Sequence, residues 1–214
     1  MSVSLAGRRI VVSAGPTYED IDPVRFIGNR SSGKMGFAVA AAAARRGAQV
    51  MLIAGPVHLP TPEGVQRIDV RSAQQMRDAV FAQLPADAYI GAAAVADYRP
   101  RTPLSGKLKK TGETLALELV RTPDILAELG THALRPRRLV GFAAETDDIA
   151  HYARGKLVRK RLDLIAANRV GQPGSGFESD ENALVVYAHD GEQALGPAPK
   201  TELADGLLDL VFPD

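Results

Sequence analysis

The sequence predicts an α/β fold built on a mostly parallel sheet. Apolar runs alternate with helical patterns in the order strand, helix, strand, strand, helix, strand, the pattern of parallel strands joined by right-handed crossovers. The runs are apolar throughout rather than alternating, which suits a sheet covered on both faces. With 214 residues, the chain reads as a single domain over residues 1–214 with one excursion at about 98–120.

The elements follow in order. Arg9–Ala14 reads as a buried strand that Gly15, Pro16 and Thr17 break. A long loop from Tyr18 to Ser32 precedes a helix from near Gly33 to Arg46, with Gly47 as its cap. Ala40–Ala44 gives that helix a small face that packs closely on a sheet. Gln49–Ala54 and Val65–Val70 are the next strands. Ser72 caps a helix to about Leu84, and Ala88–Ala94 is a fourth strand. Tyr98–Val120 leaves the sheet as a flap, with Glu113–Leu119 alternating like a half-exposed strand. Thr122 caps a helix with Pro123 in its first position. Strands at Arg138–Ala144 and Asp163–Ala167 flank a helix at Ile149–Arg161. Asn182–Ala188 adds to the sheet edge, and Thr201–Val211 is the last helix.

Composition excludes several classes. There is no Cys, so disulfide frameworks and Cys-based metal sites are out, and a cytoplasmic setting fits. The net charge of +1, with no Trp, is no footprint for nucleic acid. No apolar run approaches the ~20 residues that span a membrane. The N-terminus has no apolar stretch of the kind a signal peptide needs.

Five segments carry candidate chemistry. Gly28-Asn-Arg-Ser-Ser-Gly-Lys-Met-Gly36 contains the Gly-x4-Gly-Lys frame of a phosphate loop. Met35 stands where a magnesium-holding Ser or Thr belongs, which argues against a Walker-type NTPase. Gly33 and Gly36 still admit a ligand to the backbone, Ser31 and Ser32 offer hydroxyls, and a helix N-terminus attracts anions. A dinucleotide fingerprint is missing after the first strand, and no carboxylate ends the second. Tyr152 and Lys156 match the Tyr-x3-Lys pair of NADP-dependent short-chain reductases, an alternative the absent glycine motif disfavours. Lys156 and Lys160 share a helix face, where like charges repel unless an anion joins them. They read equally as a solvated basic face. Ala92–Asp97 follows a parallel strand at its C-terminal end, where open α/β sheets bind ligands. Lys107, Lys109 and Lys110 lie on a Gly-flanked loop that either closes over phosphates or is simply solvated.

Together these segments resemble the phosphopantothenoylcysteine synthetase family. The run from Ser13 to Gly36 is similar to that family's signature. Ala93–Pro100, Lys107–Lys110, Arg121–Leu126, Gly141–Thr146, Asp163–Asn168 and Gly176-Phe177 through Asn182 follow in the family's order. The resemblance implies a Rossmann-like three-layer fold with a protruding flap, and a two-step ligation. The carboxylate of 4′-phosphopantothenate attacks the α-phosphate of CTP, and pyrophosphate leaves an acyl cytidylate. The amine of L-cysteine then attacks the acyl carbon and CMP departs. Bacterial members use CTP and the eukaryotic branch ATP, with magnesium (Mg2+) accompanying the nucleotide.

Carried over by motif, Asn29 is the acyl-binding asparagine and Lys107 the flap lysine that forms the cytidylate. Arg25 reaches phosphopantothenate bound by a partner subunit, and Ala93, Ala94 and Asp97 are substrate positions, Asp97 a nucleotide position as well. Gly15, Ser31, Gly33 and Gly36 form the phosphate cradle. Pro123, Asp124, Ile125, Leu126, Phe142, Lys156, Lys160 and Asn168 are nucleotide positions. The resemblance also implies a homodimer formed through the flap. The flavin-dependent decarboxylase half often joined to this family is not in this sequence, so no flavin is expected on this chain. A non-catalytic nucleotide-binding module is the remaining alternative.

Overall fold

The computed structural model describes residues 3–110, 112–145, 148–169 and 179–213. The chain opens with strand β1 (Arg9–Ala14), a short hairpin of β2 (Tyr18–Asp20) and β3 (Phe26–Gly28), and helix α1 (Lys34–Arg45). Strands β4 (Gln49–Ala54) and β5 (Val65–Asp69) follow, then α2 (Ala73–Phe81) and β6 (Ala88–Gly91). A ribbon of β7 (Tyr98–Pro100) and β8 (Leu119–Arg121) brackets residues 101–118. Helix α3 (Ile125–Thr131), β9 (Arg138–Glu145), α4 (Ile149–Arg159) and β10 (Leu164–Arg169) come next. The antiparallel strands β11 (Glu181–Tyr187) and β12 (Glu192–Pro199) and helix α5 (Lys200–Val211) complete the fold.

The eight-stranded sheet has the order β12-β11-β10-β9-β6-β1-β4-β5. From β10 to β5 all neighbours are parallel. This is the Rossmann-like order, in which the direction of strand addition reverses beside β1. One face packs under α1 and α5, with Val39, Ala43, Leu203 and Leu207 in its core. The other packs under α2, α3 and α4, through Met76, Val80, Leu129 and Leu157. The parallel α/β sheet with helices on both faces therefore stands as expected, because strands such as Ile10–Ala14 are buried on both sides.

Several local expectations are corrected. The segment after Thr17 is not all loop, because β2 and β3 pair from Tyr18 opposite Gly28 to Asp20 opposite Phe26. Glu113–Leu119 is a strand only at Leu119, where pairing with Pro100 begins. Strand β6 stops at Gly91, and Ala94 makes only an isolated bridge to Pro16. Helix α2 ends at Phe81, although its expected Ser72 cap forms a full capping box with Gln75. The cap of α3 is Asp124, whose side chain accepts from the Ala127 amide at 3.1 Å. Thr122 instead donates its hydroxyl to the Ala96 carbonyl. Helix α4 stops at Arg159, and Arg161 takes a positive φ of 53°. The strand at 182–188 is not the edge, for β12 lies outside it. Thr146 and Gly176-Phe177 of the resemblance, and Thr111 of the lysine loop, lie outside the described residues.

Candidate functional site

A cavity of about 820 Å³ opens at the C-terminal ends of β1, β6 and β9, beside the reversal point of the sheet. Its floor holds Ser13 and Tyr89, whose hydroxyls lie 2.8 Å apart. Burial pushes the Tyr89 phenol up to about 12, against the opposing hydrogen bond from Ser13. The phenol is thus neutral at the cavity floor.

One wall is the entry to α1. Residues 31–36 all line the cavity. Gly33 caps the helix in left-handed backbone (φ +77°), with no side-chain cap. The Gly33 amide donates to Ser31 Oγ at 3.3 Å and the Lys34 amide to Ser32 Oγ at 3.5 Å. Gly36 lets the helix lie against β1, since a Cβ there would stand 2.5 Å from that of Ala14. Backbone amides and the helix dipole therefore meet at one end of the cavity, a natural seat for a phosphate.

The opposite wall comes from the β6 end, the entry to α3 and the face of α4. Ala93, Ala94, Asp97, Pro123, Asp124, Ile125, Leu126, Phe142, Lys156, Lys160 and Asn168 all line it. Asn29 joins them from the end of the hairpin, its Nδ2 donating to the Val95 carbonyl at 3.0 Å. Lys160 reaches from the end of α4 to Asp124 at 2.9 Å, which ties that helix to the cap of α3. Asn168 is buried near the end of β10.

Three expected residues lie elsewhere. Gly15 is beneath the wall, where a Cβ on Gly33 would meet its backbone at 3.5 Å. Arg25 is at the tip of the β2–β3 hairpin and Lys107 is exposed within residues 101–118; neither lines this cavity. Tyr152 does not line it either, so the Tyr152–Lys156 pair of the reductase alternative is not assembled here.

The sequence reading did not nominate Arg30, Arg121, Asn182 or Lys200, all of which line the cavity. Arg121 sits inside a block already singled out, so its position carried a signal. Lys200, at the start of α5, carried none, because only the antiparallel β11–β12 pair brings that helix start to the cavity. Lys200 is buried and donates to the Ser179 carbonyl. Burial, and Lys34 nearby, lower its pKa, with Asp180 opposing. Lys34 itself pairs with Asp180 at 2.6 Å, which lowers the carboxyl below its ordinary range. Among the described residues lining the cavity, six cationic side chains (Arg30, Lys34, Arg121, Lys156, Lys160 and Lys200) stand against two carboxylates, Asp97 and Asp124, with Asp180 pairing Lys34 beside them. That imbalance favours a polyanionic ligand.

Fold and cavity together define an α/β protein with a cation-rich cavity at the switch point of a parallel sheet. The chain belongs to the DNA/pantothenate metabolism flavoprotein C-terminal domain family, whose model matches residues 5–213. It is 50% identical over 210 residues to the coenzyme A biosynthesis bifunctional protein CoaBC of Vibrio cholerae, covering 97% of this chain and 53% of that protein. Its identity to CoaBC of Escherichia coli is 53% over 205 residues, covering 93% and 50%. The chain spans about half the length of the curated relatives it matches. Among solved structures, the C-terminal domain of CoaBC superposes with a TM-score of 0.82 at 41% identity, covering 97% of this chain and 95% of that one.

Proposed function

We propose that the chain joins 4′-phosphopantothenate to L-cysteine through an acyl cytidylate, with CTP as co-substrate, in the cytoplasmic synthesis of coenzyme A. The observation that carries this reading is the convergence of Asn29, the α1 entry, the Ala93–Asp97 turn and Lys156 and Lys160 on one cation-rich cavity. The triphosphate lies against the α1 amides and the lysines, where fixed positive potential offsets charge as the α-phosphate is attacked. Leu126 and Phe142 supply apolar wall for the base. Asn29, steadied by the Val95 carbonyl, offers its remaining N–H to the acyl oxygen in the second step. Lys107 serves the first step from the excursion, and Arg25 binds substrate of a second subunit in a homodimer.

Among the described residues no three His, Asp or Glu side chains gather as a metal site. Magnesium on a triphosphate keeps several waters and needs only one or two carboxylates, and exposed Asp97 on the cavity wall fits that role. The ion supplies charge neutralisation on the phosphates. No helix of the described residues is long and apolar enough to cross a membrane. A flavin-dependent decarboxylase half is a partner of this chain in the same reading.

The test is pyrophosphate release with magnesium, phosphopantothenate and CTP or ATP. Release with CTP, and amide product once cysteine is added, is the expected outcome. Asn29→Ala releases acyl cytidylate without efficient amide formation, and Lys107→Ala blocks pyrophosphate release. A folded protein that binds CTP yet releases no pyrophosphate with both co-substrates present would sink the ligase in favour of a binding module.

A further inference from the structure

Asp22 is a buried carboxylate with no part in the chemistry above. It is 2% exposed, at the turn of the β2–β3 hairpin. Its two oxygens divide their work. Oδ1 accepts from the amides of Val24 and Arg25, each at 2.8 Å, and so closes the turn around Pro23. Oδ2 leaves the hairpin's backbone. It accepts from Arg25 Nε at 3.1 Å and Nη2 at 2.5 Å, and from the amide of Leu108 at 3.0 Å. The same Arg25 Nη2 donates to the Leu108 carbonyl at 2.9 Å. A further backbone bond, from the Leu104 amide to the Ile21 carbonyl at 2.9 Å, fixes the excursion earlier along the chain. Leu108 directly follows Lys107.

We propose that Asp22 is a positioning residue for the ligation: its Oδ2 clamps Arg25 to the segment carrying Lys107, so that the substrate arginine and the cytidylate-forming lysine are presented as one unit. This role rests on the ligase reading above. A turn alone needs only Oδ1. The second oxygen spans more than eighty residues of chain, and among the described residues every donor to it comes from Arg25 or Leu108. The Arg25 guanidinium, and the amides of Leu108, Val24 and Arg25, hold the carboxyl well below the usual carboxylate range against the opposing effect of burial. The clamp is therefore fully charged throughout the neutral range.

Asp22→Asn separates the two oxygens. The amide oxygen keeps the turn, while an NH2 group replaces Oδ2 and faces the Leu108 amide and the guanidinium donor to donor. Expected are a melting transition near that of the parent and at least a tenfold fall in kcat for pyrophosphate release. KM rises for phosphopantothenate, and KM for CTP stays within twofold, because the nucleotide cavity is untouched. Hydrogen exchange at the Leu108 amide speeds up at least tenfold, while β1 and β4 keep their protection. Unchanged kcat with unchanged Leu108 protection overturns the proposal. If Asp22→Asn does not fold, Asp22→Ser, whose hydroxyl can close the same turn, carries the same measurements. Failure of both to fold assigns Asp22 to the hairpin alone and also overturns it. A parent chain silent with both nucleotides refutes the ligase reading itself. An active parent with an indifferent variant refutes only the clamp.

Discussion

Tyr89 shows how a single side chain at the cavity floor writes itself into stability. It is 2% exposed and hydrogen-bonded to Ser13, with its pKa pushed up to about 12 from a reference of 10.0. An unfolded chain ionises this phenol near 10, so between about pH 10 and 12 the folded state holds a proton that the unfolded state has lost. Stability must fall with rising pH across that window and be whole below it. Two units correspond to about 3 kcal/mol. Denaturant unfolding at pH 9 and 11.5 should therefore show the parent losing more stability than Tyr89→Phe, which has nothing to titrate there. Equal losses would mean that the phenol ionises freely. At this scale the sequence was informative where a residue's job is local. Glycine spacing and two serines marked the α1 entry, and the alanines after β6 marked the strand end. Lys200 and Tyr89 were silent, because what brings them to the cavity is tertiary.

Elements depend on partners as well as pattern. Residues 113–118 alternate like a strand but belong to no ladder, so only Leu119–Arg121 is counted in the ribbon. Strand β12 carries no strand pattern in its sequence, because Gly196, Pro197 and Pro199 are poor strand residues. At a sheet edge a proline's missing N–H costs little, and β12 is the edge. The placing of α1 depends on α5 in the same way. Arg46, with 5% of its side chain exposed, donates through Nε and Nη2 to Asp205 Oδ1 at 3.1 and 2.9 Å, and through Nη1 to Asp209 at 2.6 Å. It also donates to the Asp205 carbonyl at 2.9 Å. Hydrogen bonds to charged groups contribute about 1.5–3 kcal/mol each when buried, and the half-exposed aspartates reduce that. Arg46→Met should cost about 2–3 kcal/mol, a fall of roughly 5–10 °C in Tm for a chain of this size. Calorimetry reads the shift. An unchanged Tm would assign the anchoring of α1 to apolar packing against α5 alone.

At the scale of the whole molecule, two-faced burial made the central sheet legible, since strands covered on both sides are apolar along their length. The excursion was legible only as something outside that sheet. Its surface now carries a prediction. Val24, Phe26, Tyr98, Leu104, Leu115, Leu117 and Leu119 are all exposed, and they sit on the hairpin, the ribbon and residues 101–118. Apart from Leu134, Tyr152 and Val158, they are all the large exposed apolar side chains among the described residues. Such a concentration is what an association surface requires, and the prediction is that a second copy covers it. Arg25 and Lys107, which lie outside this chain's own cavity, stand on the same region. A second copy seated there would cover the apolar side chains and bring both cations to a cavity from across the interface. Sedimentation velocity should find the parent a dimer at micromolar concentration. Leu115→Glu with Leu117→Glu should shift it to a monomer, because each carboxylate would be buried unpaired on association. Neither residue lines the cavity, so the monomer should still bind CTP while losing at least tenfold in pyrophosphate release. A parent that sediments as a monomer would remove the shared site. A monomeric variant with full activity would place Arg25 and Lys107 in the service of their own subunit.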